Sequence, residues 1–159
     1  MSVPDQMALD GIKITRRHLP HWTLEESTYF ITFRVRDGKF SIEEQKRVLE
    51  HIKLGNAKFY NLLAAQVMPD HVHVLLQPRP GFELARIMRG MKGASARKLN
   101  QARGETGSVW QDESYDRIVR DYDELIQKLE YMLNNPVKKK LCEDPWTYHG
   151  WYYNEEAEK

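Results

Sequence analysis

Two apolar runs, residues 59–68 and 71–77, are separated only by Pro69-Asp70, and that spacing limits the fold more than any other pattern in the chain. A two-residue connection suits a tight antiparallel turn, so the runs read as a β-hairpin. The second run carries His71 and His73 with one hydrophobic residue between them. Side chains alternate along a strand, so both imidazoles project from one face while Val72, Val74 and Leu76 project from the other. Two adjacent imidazoles can hold a divalent metal, although a bare His-x-His also occurs as satisfied core or surface residues.

The flanking residues extend this sheet. Tyr29, Ile31, Phe33 and Val35 alternate with Thr28, Phe30, Thr32, Arg34 and Arg36, which predicts a strand with one apolar face and one largely polar, basic face. Asp37-Gly38 ends it. Ser41-Ile42-Glu43-Glu44 has the form of a capping box and predicts a helix to about Leu54, before Gly55-Asn56. After Pro78-Arg79-Pro80-Gly81, the spacing of Leu84, Ile87, Met88 and Met91 predicts a helix over 82–103, weakened by Gly90 and Gly93. Residues 117–119 read as a short fourth strand. Asp121-Tyr122-Asp123-Glu124 then opens a helix over 121–135, which Pro136 stops.

Strand, helix, strand, strand, helix, strand and a further helix is the order of the ferredoxin-like split βαβ fold, an α+β architecture. Both crossover helices cover one face of its antiparallel sheet, and the face bearing His71 and His73 is left for a ligand or partner. At 159 residues and 41% hydrophobic content the chain suits a single domain over 1–159. Within it, 1–27 read as an arm, 28–120 as the core and 136–159 as a tail. No run of eighteen apolar residues and no signal-like N-terminus occurs, so the expectation is a soluble, cytoplasmic protein without membrane contact. The lone Cys142 excludes an internal disulfide framework and a cysteine-based zinc site.

Charge is distributed unevenly behind a net value of +1. Arg86, Arg89, Lys92, Arg97, Lys98 and Arg103 fall in a stretch without acids, Lys13, Arg16 and Arg17 form a second group, and Lys138, Lys139 and Lys140 a third. Such clusters are either solvated faces or a surface for a polyanion. In the last helix, Tyr122, Leu125, Ile126, Leu129, Met132 and Leu133 share one sector, while Tyr131 lies nearly opposite with Gln127 and Asn135 beside it. A tyrosine so placed is either an exposed aromatic or the source of a hydroxyl for something outside its helix.

Met68-Pro-Asp-His-Val-His-Val-Leu-Leu resembles the histidine, hydrophobic, histidine (HUH) motif of the single-tyrosine transposases. Tyr131-Met-Leu-Asn-Asn-Pro-Val-Lys-Lys-Lys-Leu141 resembles the tyrosine-helix motif of their subgroup, the REP-associated tyrosine transposases. Lys92, Val109-Trp110-Gln111, Ser114-Tyr115-Asp116-Arg117-Ile118-Val119-Arg120 and Tyr29-Phe30-Ile31-Thr32-Phe33-Arg34 resemble other parts of that subgroup, so the match spans about residues 16–150.

The resemblance implies a metal-dependent HUH endonuclease and strand transferase that cuts single-stranded DNA beside hairpins, including REP-like palindromes, through a 5′-phosphotyrosine intermediate. Carried over by position, His71 and His73 would be metal ligands, Asn135 the third ligand and Tyr131 the nucleophile, with Tyr115 as the competing tyrosine. The cation would be magnesium or manganese, and imidazole ligation favours manganese. Arg16, Arg17, Arg34, Arg89, Lys92 and Arg97 are candidate DNA contacts. A homodimer and a monomer are equally compatible with the chain. The alternatives are a non-catalytic hairpin DNA-binding module and a metal-dependent RNA nuclease. A tyrosine suits strand transfer because a phosphotyrosine keeps the broken bond's energy, which hydrolysis by water loses.

Overall fold

The computed structural model describes Ile14 and residues 22–155. Five strands form one sheet: β1 (Tyr29–Val35), β2 (Tyr60–Val67), β3 (His71–Pro78), β4 (Trp110–Ile118) and β5 (Trp151–Tyr153). Their order is β4-β1-β3-β2-β5, and every neighbouring pair is antiparallel. Three helices connect or follow them: α1 (Ile42–Leu54), α2 (Leu84–Arg103) and α3 (Tyr122–Lys138). The expected ferredoxin-like order is therefore present, with β5 added at the β2 edge. No helix among the described residues is long and apolar enough to cross a membrane.

The hairpin turn is short because its backbone is bonded on two sides. Met68 N–H donates to the His71 carbonyl at 2.8 Å, closing the turn, while the Pro69 and Asp70 carbonyls accept from Phe40 and Val35. Helix α1 begins where expected, since Ser41 Oγ accepts from Glu44 N–H and the Glu44 carboxylate accepts from Ser41 N–H. Helix α2 ends at Gly104 in the left-handed conformation, φ 67°, which glycine adopts without a Cβ clash.

The sheet has a core on each face. Ile31, Phe33, Val72, Val74 and Leu76 pack with Val48, Ile52, Ile87, Met91 and Leu99 under α1 and α2. On the other face Phe30, Leu63 and Leu75 pack with Leu125, Leu129, Met132 and Leu133 of α3 and with Tyr148 and Trp151. The face expected to be open is thus covered along much of its length. The reason lies in the strands: Phe30, Leu63 and Leu75 are too apolar to be left in water, and the apolar stripe of α3 buries them.

Three boundaries differ from the sequence reading. Strand β4 runs for nine residues rather than three, with mostly exposed side chains; Lys92 Nζ anchors its start by donating to the Gln111 and Asp112 carbonyls and to Ser114 Oγ. Helix α3 continues through Pro136 to Lys138, because a proline in the last turn removes only one helical donor. Within the stretch read as a tail, residues 151–153 form β5, which pairs with Ala64, Ala65 and Gln66.

Gly150 makes that last pairing close. Its carbonyl accepts from Val67 N–H at 2.7 Å, and a Cβ on it would lie 2.1 Å from the Val67 carbonyl oxygen. Gly150→Ala is therefore expected to cost about 1–3 kcal/mol, as overpacking commonly does. Urea unfolding followed by tryptophan fluorescence measures it, and an unchanged midpoint would contradict the contact.

Candidate active site

Strand β3 is paired on both edges by β1 and β2 and covered on both faces by the two cores, and the histidines are only 3% exposed. Neutral imidazole tolerates such burial only with its ring nitrogens bonded or otherwise used. His71 Nδ1 lies 2.7 Å from Asp70 Oδ1, so the carboxylate accepts the Nδ1 proton and the lone pair is left on Nε2. His73 Nδ1 is 2.8 Å from Thr32 Oγ1, and His73 Nε2 is buried with no partner. With Nδ1–H donating to Thr32, the unpaired atom is an acceptor; the other tautomer would strand a buried N–H, the costlier arrangement. The two rings stand 4.8 Å apart, centroid to centroid.

Helix α3 crosses this pair. Leu125, Leu129, Met132 and Leu133 face the sheet, which turns Tyr131 to the rim, half exposed at 50%, with its ring 5.5 Å from that of His73. Phe30 stacks on His73 at 5.2 Å and meets Tyr131 edge-on at 6.5 Å, so one aromatic spaces the two. Asn135, one turn on, is buried, and its Nδ2 lies 3.5 Å from His71 Nε2. The structure places His71, His73, Tyr131 and Asn135 near one another within one chain.

A cleft of about 340 Å³ opens beside His73 and Tyr131, lined also by Phe30, Thr32, Arg34, Tyr115 and Lys128. Arg34 lies opposite His71 in the β1–β3 register, and Lys128 Nζ stands 5.0 Å over the Phe30 ring. Tyr115 is paired with Thr32 across β1–β4 and is 59% exposed, so the competing tyrosine reaches the same cleft from the opposite wall. Burial holds His73 well below its ordinary value, to about 3, helped by His71, Arg34, Lys128 and Lys139. Burial also lowers His71, against an opposing pull from Asp70. The hydrogen bond from His71 lowers Asp70, which stays a carboxylate.

Among the described residues no group of three or more His, Cys, Asp or Glu is arranged to hold a metal ion. Beside His71, the Asn135 amide is placed where it could give a cation a third protein donor. The residues present fit a cation: two neutral imidazoles, with His73 Nε2 an orphaned buried atom and His71 Nε2 facing the Asn135 amide, and an Asn side chain whose oxygen and nitrogen exchange places by rotation.

Of the other candidates among the described residues, Arg34 alone lines the cleft. Arg89, Lys92 and Arg97 belong to α2 on the far face of the sheet, where Lys92 is engaged with β4. A larger cleft of about 650 Å³ lies on that face, lined by His51, Phe59, Phe82, Arg86 and Lys98, away from both histidines of β3. Arg16 and Arg17 lie outside the described residues. Sequence reasoning did not identify Asp70, Thr32 or Lys128. Asp70 could have been found as the acid next to His71, and Lys128 as the cation one turn before Tyr131.

The family model described as IS200-like transposase matches residues 26–134. A Haemophilus influenzae protein assigned as a REP-associated tyrosine transposase is 26% identical over 111 residues, 62% of this chain and 63% of its own length. The ISDra2 transposase TnpA of Deinococcus radiodurans is 31% identical over 78 residues, 49% of this chain and 50% of its own. These matches leave more than a third of each relative unaligned. A solved structure of a REP-associated tyrosine transposase bound to a REP hairpin shares the fold, with a TM-score of 0.62 and 18% identity, over 91% of this chain and 93% of that one.

The depressed His73 fixes a pH response for the metal-free protein. As pH falls below about 6.5 the unfolded chain takes up the imidazole proton and the folded chain does not, so stability is complete above 6.5 and is lost toward about 3. The expected slope reaches about 1.4 kcal/mol per pH unit for this group. Urea unfolding in EDTA at stepped pH reads it, with a shallower slope in His73→Gln; equal slopes in both proteins would show that His73 titrates normally.

Proposed function

The chain belongs to the IS200-like transposase family, and from that premise we propose that it is a metal-assisted endonuclease and strand transferase acting on single-stranded DNA beside hairpins. The observation that carries the reading is the placement of Tyr131: its ring is 5.5 Å from His73, inside a cleft walled by Arg34 and Lys128. The hairpin substrate is supported by the relatives, one of which was solved with a REP hairpin.

In this reading Tyr131 Oη attacks the phosphorus of an extended strand. The new O–P bond forms as the bond to the 3′ oxygen breaks, the phenol proton is given up, and the 3′ oxygen leaves as a hydroxyl. The strand end is then held as a 5′-phosphotyrosine, which a 3′ hydroxyl of the same or another strand can attack in reverse. Arg34 and Lys128 receive the phosphate charge at the cleft, and Phe30 holds Tyr131 and His73 in fixed relation. His71, His73 and Asn135 would hold magnesium or manganese. A cation there supplies positive charge to the non-bridging oxygens as attack concentrates negative charge on them. Asp70 and Thr32 keep both imidazoles in the tautomer that ligation needs.

Of the three readings, only attack by a tyrosine leaves DNA covalently bound to the protein, which separates it from a hairpin-binding module and from an RNA nuclease. With a hairpin oligonucleotide bearing a single-stranded flank and manganese, the protein is expected to yield a denaturation-resistant adduct, abolished by EDTA. Tyr131→Phe is expected to reduce the adduct to background and Tyr115→Phe to leave most of it. Loss in Tyr115→Phe with retention in Tyr131→Phe would transfer the role to the opposite wall.

A further inference from the structure

Pro136 has no backbone N–H, so the carbonyl of Met132, four residues earlier in α3, lacks its intrahelical donor. Met132 is fully buried and water does not replace that donor. Gln66 supplies it instead, donating from Nε2 to the Met132 carbonyl. Gln66 is itself fully buried, in a strand segment otherwise composed of Leu62, Leu63, Ala64, Ala65 and Val67. A polar side chain in so apolar a run requires a reason. Filling space is not that reason, since its Oε1 is buried without a partner and a leucine would leave no such atom. The amide has one useful sense, because turning it over would set oxygen against the Met132 carbonyl.

The place of this bond matters. Gln66 stands directly opposite His73 in the β2–β3 register, and Met132 lies between Tyr131 and Asn135 in α3. The contacts of Leu125, Leu129, Met132 and Leu133 that dock α3 are apolar and tolerate a slide or a small rotation. A hydrogen bond is directional and does not. We propose that Gln66 is a positioning residue that sets the register of α3, so that Tyr131 meets His73 and Asn135 meets His71. This rests on the reading of the site given above, and it adds that the proline of the tyrosine helix and a glutamine on the neighbouring strand form one device.

Gln66→Leu removes the donor at similar volume, and Gln66→Leu with Pro136→Ala returns a backbone N–H for the Met132 carbonyl. Pro136→Ala alone is the reference. In Gln66→Leu the single-turnover rate of adduct formation on bound hairpin DNA is expected to fall about a hundredfold, as for a misplacement near 1 Å, with DNA affinity unchanged. In the double variant the thermal midpoint is expected to return to that of Pro136→Ala while the rate stays low. A fluorotyrosine placed at position 131 gives a readout independent of activity: its ¹⁹F resonance is expected to stay displaced in the double variant. Recovery of both rate and resonance there would show that Gln66 only satisfies a carbonyl, and a parental rate and resonance in Gln66→Leu would remove its role altogether. If Gln66→Leu does not fold, the double variant carries the comparison. A parent protein that forms no adduct would overturn the proposed function, while the resonance would still test Gln66.

Discussion

Strand β3 is interior on both faces, and two of its side chains are imidazoles. Val72, Val74 and Leu76 are satisfied by the core under α1 and α2, but His71 and His73 face the second core, where nothing apolar can bond their nitrogens. Each therefore has a partner for Nδ1, Asp70 from the hairpin turn and Thr32 from β1. Of the Nε2 atoms, that of His71 faces the Asn135 amide and that of His73 is left without a partner beneath α3. The docking of α3, the covering of the second face and the cleft beside Tyr131 all follow from having to cover this strand without filling its one polar patch.

Burial has an electrostatic consequence that suits a cation. An exposed pair of histidines would share protons with the solvent near neutrality and repel a metal for part of the time. Here burial and the nearby Arg34, Lys128 and Lys139 hold His73 in its neutral form. The same cations favour a phosphate at the cleft and repel a bare metal ion as they repel a proton, so a cation there would be held by the imidazole lone pairs and favoured further by the phosphate charge.

The parts of the fold that could be read from the sequence are those determined by local pattern. The hairpin at Pro69-Asp70, the alternation of β1 and the Ser41 capping box each act over a few residues. Strand β4 could not be read in full because Trp110 alone is buried in it; backbone pairing and Lys92 hold an otherwise polar edge strand. β5 is three aromatic residues at the opposite edge, too short to show a period. Pro136 reads as a helix stop in the sequence; the helix continues because only one donor is lost, and the Met132 carbonyl that loses it accepts from Gln66, 66 residues away, which no local pattern shows. Within the candidate site, strand alternation placed His71 with His73 and helix geometry placed Tyr131 beside Asn135, and only the family resemblance joined the two pairs. Thr32 was not, because its role depends on a β1–β3 register that no local spacing encodes.

The central claim is that one chain carries the whole site, with Tyr131 working beside its own His73. Mixing Tyr131→Phe protein with His73→Ala protein, and following adduct formation on a hairpin oligonucleotide, tests it directly. Each protein lacks one half of the chemistry, so a site assembled within the chain predicts no more adduct in the mixture than in either protein alone. Adduct restored by mixing would mean that the tyrosine of one chain serves the histidines of another, and would contradict the account.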